Sequence, residues 1–349
     1  MRSIKCSNCG GEVENGICTY CRTKLGDEDQ IFSDNLDEYM NVYNNIRLKF
    51  ETGKRLTPEE DEVFKNLLKY NVLSDNEIDD LRIMCYFLNQ IKLFSYETFE
   101  LLIKRTTEKN MRQMANSRIP NYNPKAFILN LNNCNGSAIK HHVVNLDKNI
   151  IEHLYNGNPE SLITYYHEIE HIAQSMSFEL GLIYEGIITM IKDFVIKEVD
   201  NTVFNKNDYY YDNYYNISYE IDAEQSGINS VKGLFNYLNN LGIKTPLIDF
   251  DAIRRSWPQE DNAKRKVRVD GEIVERKLDD LFLEMINLKP MCFDKYPQLA
   301  LLYIKEDNKI RPRTKEELEE ALYYFRNDAQ ICKYLENTIN SMDSSTFTN

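Results

Sequence analysis

The chain has 349 residues, enough for about two domains and an ordinary buried core. Hydrophobic residues make up 42% and charged residues 28%, which excludes a disordered chain. Asp and Glu number 55 against 42 Lys and Arg, and the net charge of -13 repels phosphate backbones, so duplex nucleic acid is not an expected partner.

Residues 1–25 read as a separate unit. Cys6-Ser7-Asn8-Cys9 and Cys18-Thr19-Tyr20-Cys21 are two CxxC knuckles eight residues apart. Each knuckle can present two thiolates, and two knuckles close a tetrahedral zinc site. A segment this short cannot build a core, so the metal must supply its folding free energy. The segment resembles the short prokaryotic zinc ribbon, which implies a structural zinc on Cys6, Cys9, Cys18 and Cys21; a protein partner of the ribbon is one candidate role, and the motif itself does not specify what the ribbon binds. A redox-active CxxC pair is the competing reading. The cysteines also begin where the apolar region of a secretory signal would lie, so the expected compartment is the cytoplasm.

Residues 26–120 are expected to be helical and to serve packing or partner binding. Thr57-Pro58-Glu59-Glu60 and Ser74-Asp75-Asn76-Glu77 are capping boxes, and after the second Ile78, Leu81, Met84, Leu88 and Ile91 recur at helical spacing. The segment 121–242 changes character. Strands are expected over 126–131 and 138–146, with Asn135-Gly136 between them. Asn158, Pro159 and Glu160 start a helix running to about Ser175, helical segments follow over 177–199 and 218–241, and the Asn- and Tyr-rich stretch 201–216 reads as a loop. The most apolar run, 180–199, is interrupted by Glu185, Lys192, Asp193, Lys197 and Glu198, so no membrane span is expected. In 243–349, a hairpin turning at Asp270-Gly271 is followed by a helix from Thr314 to about Ser341.

His167-Glu168-Ile169-Glu170-His171 places two imidazoles four residues apart, about one turn along one helix face, where both can grip one metal. Glu168 lies ~100° round the helix, within reach of a metal-bound water without ligating the metal itself. A third ligand is needed. Glu220 and Glu224, four apart in Glu220-Ile221-Asp222-Ala223-Glu224, supply a ligand and a carboxylate able to hold the outer N–H of a ligating histidine. The competing readings are a charged surface helix with incidental histidines and, for Glu220 and Glu224, two solvated glutamates on a helix.

These two segments together resemble the gluzincin metallopeptidases, which join HExxH on one helix to ExxxD on a second; here the last position is Glu224 instead of Asp. The resemblance spans about 126–240. It implies an α+β, predominantly helical fold with a zincin-like core, whose small sheet has an edge strand along the substrate. It further implies a catalytic zinc on His167, His171 and Glu220, Glu168 as general base, and hydrolysis of a peptide bond in a protein or peptide substrate. Segment 138–146 falls where the edge strand belongs. His141 and His142 lie on it, one of them able to face the cleft, and each is either a strand-face histidine or a transition-state contact. Tyr219, with the tyrosines at 209–215, is a further candidate for the oxyanion, against a packing role. Two zinc ions per chain are expected. Two other readings share these motifs: a zinc amide hydrolase that is not a peptidase, and an adaptor whose ribbon binds a partner while the HExxH site is structural or inactive.

Overall fold

The computed structural model describes residues 4–6, 11–24, 26–115, 119, 122–131, 134, 136–139, 142–200, 218–256, 264–269 and 272–345. The fold is mostly helical with small sheets, an α+β arrangement. Among the described residues no helix is long and apolar enough to cross a membrane. The chain forms two compact units, Met1–Ala173 with Ser226–Ile248, and Gln174–Gln225 with Asp249–Asn349.

The first unit begins with a hairpin of β1 (Val13–Glu14) and β2 (Ile17–Cys18). Asn15 and Gly16 both take positive φ, the twist that a two-residue hairpin turn requires. The hairpin is anchored: Ile4 is buried, and the Lys5 N–H donates to the Tyr70 carbonyl at 2.8 Å. Helices α1 (Asp27–Asp34), α2 (Leu36–Thr52), α3 (Pro58–Lys69), α4 (Asp80–Leu88) and α5 (Tyr96–Ala115) follow. The Thr57 box closes as expected, with Glu60 N–H on Thr57 Oγ1 and Thr57 N–H on Glu60. The Ser74 box does not start a helix. Ser74 and Glu77 close a turn, and α4 starts later, capped by Asp79. Phe50, Phe64, Phe94, Phe87 and Phe99 form a continuous aromatic core between these helices.

A three-stranded sheet packs on α5. It comprises β3 (Lys125–Leu129), β4 (Gly136–Ile139) and β5 (Val143–Asp147), in the order β3-β5-β4. The single strand expected over 138–146 is therefore two strands, with His142 in a turn just before β5. The parallel pairing of β3 with β5 puts β4 at an edge, antiparallel to β5. Helix α6 (Lys148–Tyr155) leads to α7 (Glu160–Glu179), whose first N–H is held by the Asn158 side chain. On α7, Tyr165 is fully buried, and its hydroxyl lies 3.0 Å from Thr107 Oγ1 of α5. Burial pushes the Tyr165 hydroxyl well above the ordinary phenol range.

α7 runs four residues beyond its expected end, and α8 (Glu185–Val199) starts only after Gly181 has terminated α7 at positive φ. α9 (Ser218–Asn240) and α10 (Phe250–Ser256) follow. In the second unit, α8 packs on α11 (Leu278–Leu288) through Ile187, Ile191, Val195, Leu281, Phe282 and Met285. The expected hairpin is present as β6 (Lys264–Val269) and β7 (Glu272–Lys277), with its turn outside the described residues. Arg265 ties β6 to α8 through two 2.9 Å bonds to Asp193, both side chains buried. A second hairpin, β8 (Tyr303–Glu306) with β9 (Lys309–Pro312), turns at Asp307-Asn308. The helix expected over 314–341 is two, α12 (Lys315–Tyr324) and α13 (Ala329–Ser345), because Asp328 caps a new helix.

Candidate metal centre

Helix α7 carries His167, Glu168 and His171. A charged surface helix would leave them in water, yet His167 is 8% and Glu168 7% exposed. The two imidazoles meet edge to face, with Nε2 atoms 3.1 Å apart. Two nitrogens bound to one tetrahedral zinc sit about 3.3 Å apart, so the pair is already close to the spacing of ligands on a single ion.

Helix α9 supplies the third group. Glu220 is 4% exposed, and its carboxylate oxygen lies with one nitrogen of each histidine in a set whose atoms are all within 4.8 Å of one another. Several contacts join the two helices. Ser226 Oγ donates to Glu170 Oε2 at 2.7 Å, and Gln174 Nε2 donates to the Tyr219 carbonyl at 2.8 Å. Gly227 lies so close to α7 that a Cβ there would be 2.8 Å from the Ile163 carbonyl oxygen and 3.3 Å from the His167 backbone nitrogen. Glu220, Ala223 and Gly227 follow i, i+3, i+7 spacing, one face of α9. Burial raises the Glu170 carboxyl above its usual range, against the opposing pull of Ser226 and the two histidines.

Glu168 stands apart from the ligand group and faces the sheet. The edge strand β4 reaches it at Gly136, where a Cβ would fall 2.5 Å from Glu168 Cδ and 2.7 Å from Oε2. Glu224 lies one turn beyond Glu220 on α9. Asp222 points elsewhere, with Oδ2 2.6 Å from the position of a Cβ on Gly186, in the first turn of α8. His142 is exposed in the turn just before β5, its ring 5.8 Å from that of Tyr122. The Tyr219 ring packs 6.0 Å from Phe194, on the apolar cluster of the second unit. His141 and the tyrosines at 209–215 lie outside the described residues.

A second ligand group forms in the β1–β2 region. Cys6, Cys18 and Cys21 offer sulfurs within 4.8 Å of one another, with Cys6 and Cys21 Sγ 3.6 Å apart. Sulfurs on one tetrahedral zinc sit about 3.8 Å apart. The Cys21 N–H donates to Cys18 Sγ at 3.4 Å, closing a turn between the two cysteines. Cys9 lies outside the described residues.

Sequence reasoning missed Gly136, Gly227 and the Ser226–Glu170 bond. The available signal was an isolated glycine inside a helical pattern and another at a strand start, both marks of close backbone approach. Comparison of the chain with protein-family models, curated proteins and solved structures returns no match.

Proposed function

We propose that the protein is a zinc-dependent peptidase of the gluzincin type, hydrolysing peptide bonds of a protein or peptide substrate in the cytoplasm. The observation that carries this reading is the convergence of His167, His171 and Glu220 beside a buried Glu168 that is not itself in the ligand group. Two imidazoles and a carboxylate suit zinc, and the nitrogen spacing fits one ion. The three-stranded sheet supports a zincin-like core, since its edge strand β4 touches Glu168.

Zinc held there would polarise the scissile carbonyl and acidify a water molecule. Glu168 accepts the proton of the attacking water and passes it to the leaving amine. Glu224 fits the task of accepting the outer N–H of a ligating histidine, which fixes the ring's tautomer. The oxyanion needs a further donor; of the two sequence candidates, the Tyr219 ring packs against Phe194 and His142 is exposed in the turn before β5, so neither stands in the ligand group. A second, structural zinc on Cys6, Cys9, Cys18 and Cys21 would hold the ribbon, whose role is to recognise a protein partner.

The test is a peptide library made by digesting a whole proteome, incubated with zinc-replete chain and read by mass spectrometry for new termini. Wild type should cleave, a chelator should stop it, and Glu168→Gln should keep its zinc and lose cleavage. Absence of cleavage by zinc-replete wild type, or equal cleavage by Glu168→Gln, refutes the reading.

A further inference from the structure

Gly136 opens β4, the strand at the sheet's edge, and its backbone lies against the carboxylate end of Glu168. A Cβ added there would meet Glu168 Cδ at 2.5 Å, Cγ at 2.6 Å and Oε2 at 2.7 Å, none of which real atoms tolerate. Gly136 has no positive φ, so the turn chemistry of the backbone does not demand glycine at this position. The demand comes first from Glu168, because the three atoms nearest to the added Cβ all belong to that side chain. Glu168 is 7% exposed, which leaves it little room to move aside.

We propose that Gly136 is a positioning residue for Glu168: the bare backbone of β4 at this point forms the wall that fixes where the carboxylate of the general base sits. This rests on the peptidase reading for its functional meaning, while the contact itself does not. A general base must lie within hydrogen-bond reach of the proton it takes, and a displacement of about 1 Å is enough to lose that reach. Alanine at this position therefore moves the base without touching a metal ligand.

The experiment is a double-mutant cycle on the full chain with two readouts. The first is thermal stability. Gly136→Ala should lower Tm by about 2–5 °C through overpacking, and the loss should vanish in a Glu168→Ala background, where the added methyl has space. A loss of equal size in both backgrounds overturns the contact. The second is binding of acetohydroxamate to the zinc-loaded chain, since a hydroxamate on zinc shares its proton with a nearby carboxylate. Gly136→Ala should weaken binding about tenfold, the worth of one charge-assisted hydrogen bond, with zinc content unchanged. In a Glu168→Gln background the same substitution should have no further effect. Undiminished acetohydroxamate binding by Gly136→Ala, or an equal loss in the Glu168→Gln background, overturns the positioning role. A wild-type chain that binds no zinc at His167 and His171 defeats the peptidase reading instead, and the stability cycle still decides the contact.

Discussion

Helix α9 contains two glycines whose replacement by alanine should have opposite effects. Gly233 is exposed, and a Cβ there meets nothing within 4 Å. Gly233→Ala should therefore gain the full helix preference of alanine, about 1 kcal/mol, and raise Tm by about 2–4 °C. Gly227 faces α7, and its Cβ would lie 2.8 Å from the Ile163 carbonyl oxygen, a backbone atom that cannot rotate away. Ordinary van der Waals contact requires about 0.6 Å more. Overpacking of this kind costs about 1–3 kcal/mol, so after the helix preference is subtracted Gly227→Ala should be destabilised by up to about 2 kcal/mol. The displacement also reaches the metal centre. Glu220 lies two turns back on the same face of α9, about 10 Å along the axis, and metal–ligand distances tolerate only about 0.2 Å of error. Zinc affinity at that centre should fall about 10–100-fold, the range seen when the supports of a metal site are disturbed. Thermal melts of the apo chain and competition with a chromogenic chelator read the two effects. A Gly227→Ala chain as stabilised as Gly233→Ala, with unchanged zinc affinity, refutes the packing argument.

Metal analysis of the pure chain should give two zinc ions; His167→Ala with His171→Ala should remove one and Cys6→Ser with Cys9→Ser the other, whereas a ratio of one unaffected by the histidine changes counts against the centre. Glu220→Ala should empty the histidine site, while Glu224→Ala should weaken it only about 10–100-fold; the reverse order would show the ligand to be Glu224. The Arg311 guanidinium, helped by the Thr314 N–H, lowers the Glu317 carboxyl from 4.5 to about 2. A depressed carboxyl adds stability above its unfolded value, so this contribution should be intact above pH 4.5 and disappear as pH falls through about 2. An NMR titration placing Glu317 near pH 4.5 in the wild type would count against that pairing.

Much of the candidate metal centre was legible because its geometry is local. The four-residue spacing of His167 and His171 fixes one helix face whatever packs above it. The Thr57 and Thr314 boxes were legible for the same reason, since each closes within four residues. What failed depended on partners distant in sequence. Lys140-His141-His142 contains none of the residues that mark turns, so β4 and β5 read as one strand, and it is their antiparallel pairing with each other that separates them. Ser74-Asp75-Asn76-Glu77 has the composition of a helix start, but its side chains close a turn before Asp79 takes the cap. The β8–β9 hairpin does carry a local signal, Asp307-Asn308 between alternating residues, which the helix expected from Thr314 onward leaves out of account. Gly136 and Gly227 show the limit most clearly: the sequence marks each as an unusual place for glycine, and only the approach of Glu168 or Ile163 explains it. The burial of Ile4 and the Lys5–Tyr70 bond likewise tie the N-terminal cysteine segment to the helices after it, whereas its sequence reads as a free module.

The most direct test is X-ray absorption at the zinc edge on the Cys6→Ser, Cys9→Ser chain, in which the only zinc expected to remain is that of the α7–α9 centre. The spectrum should show nitrogen and oxygen scatterers at about 2.0–2.1 Å, with the outer-shell pattern of two imidazoles and no sulfur. Zinc bound through sulfur, or no zinc retained, would contradict that centre.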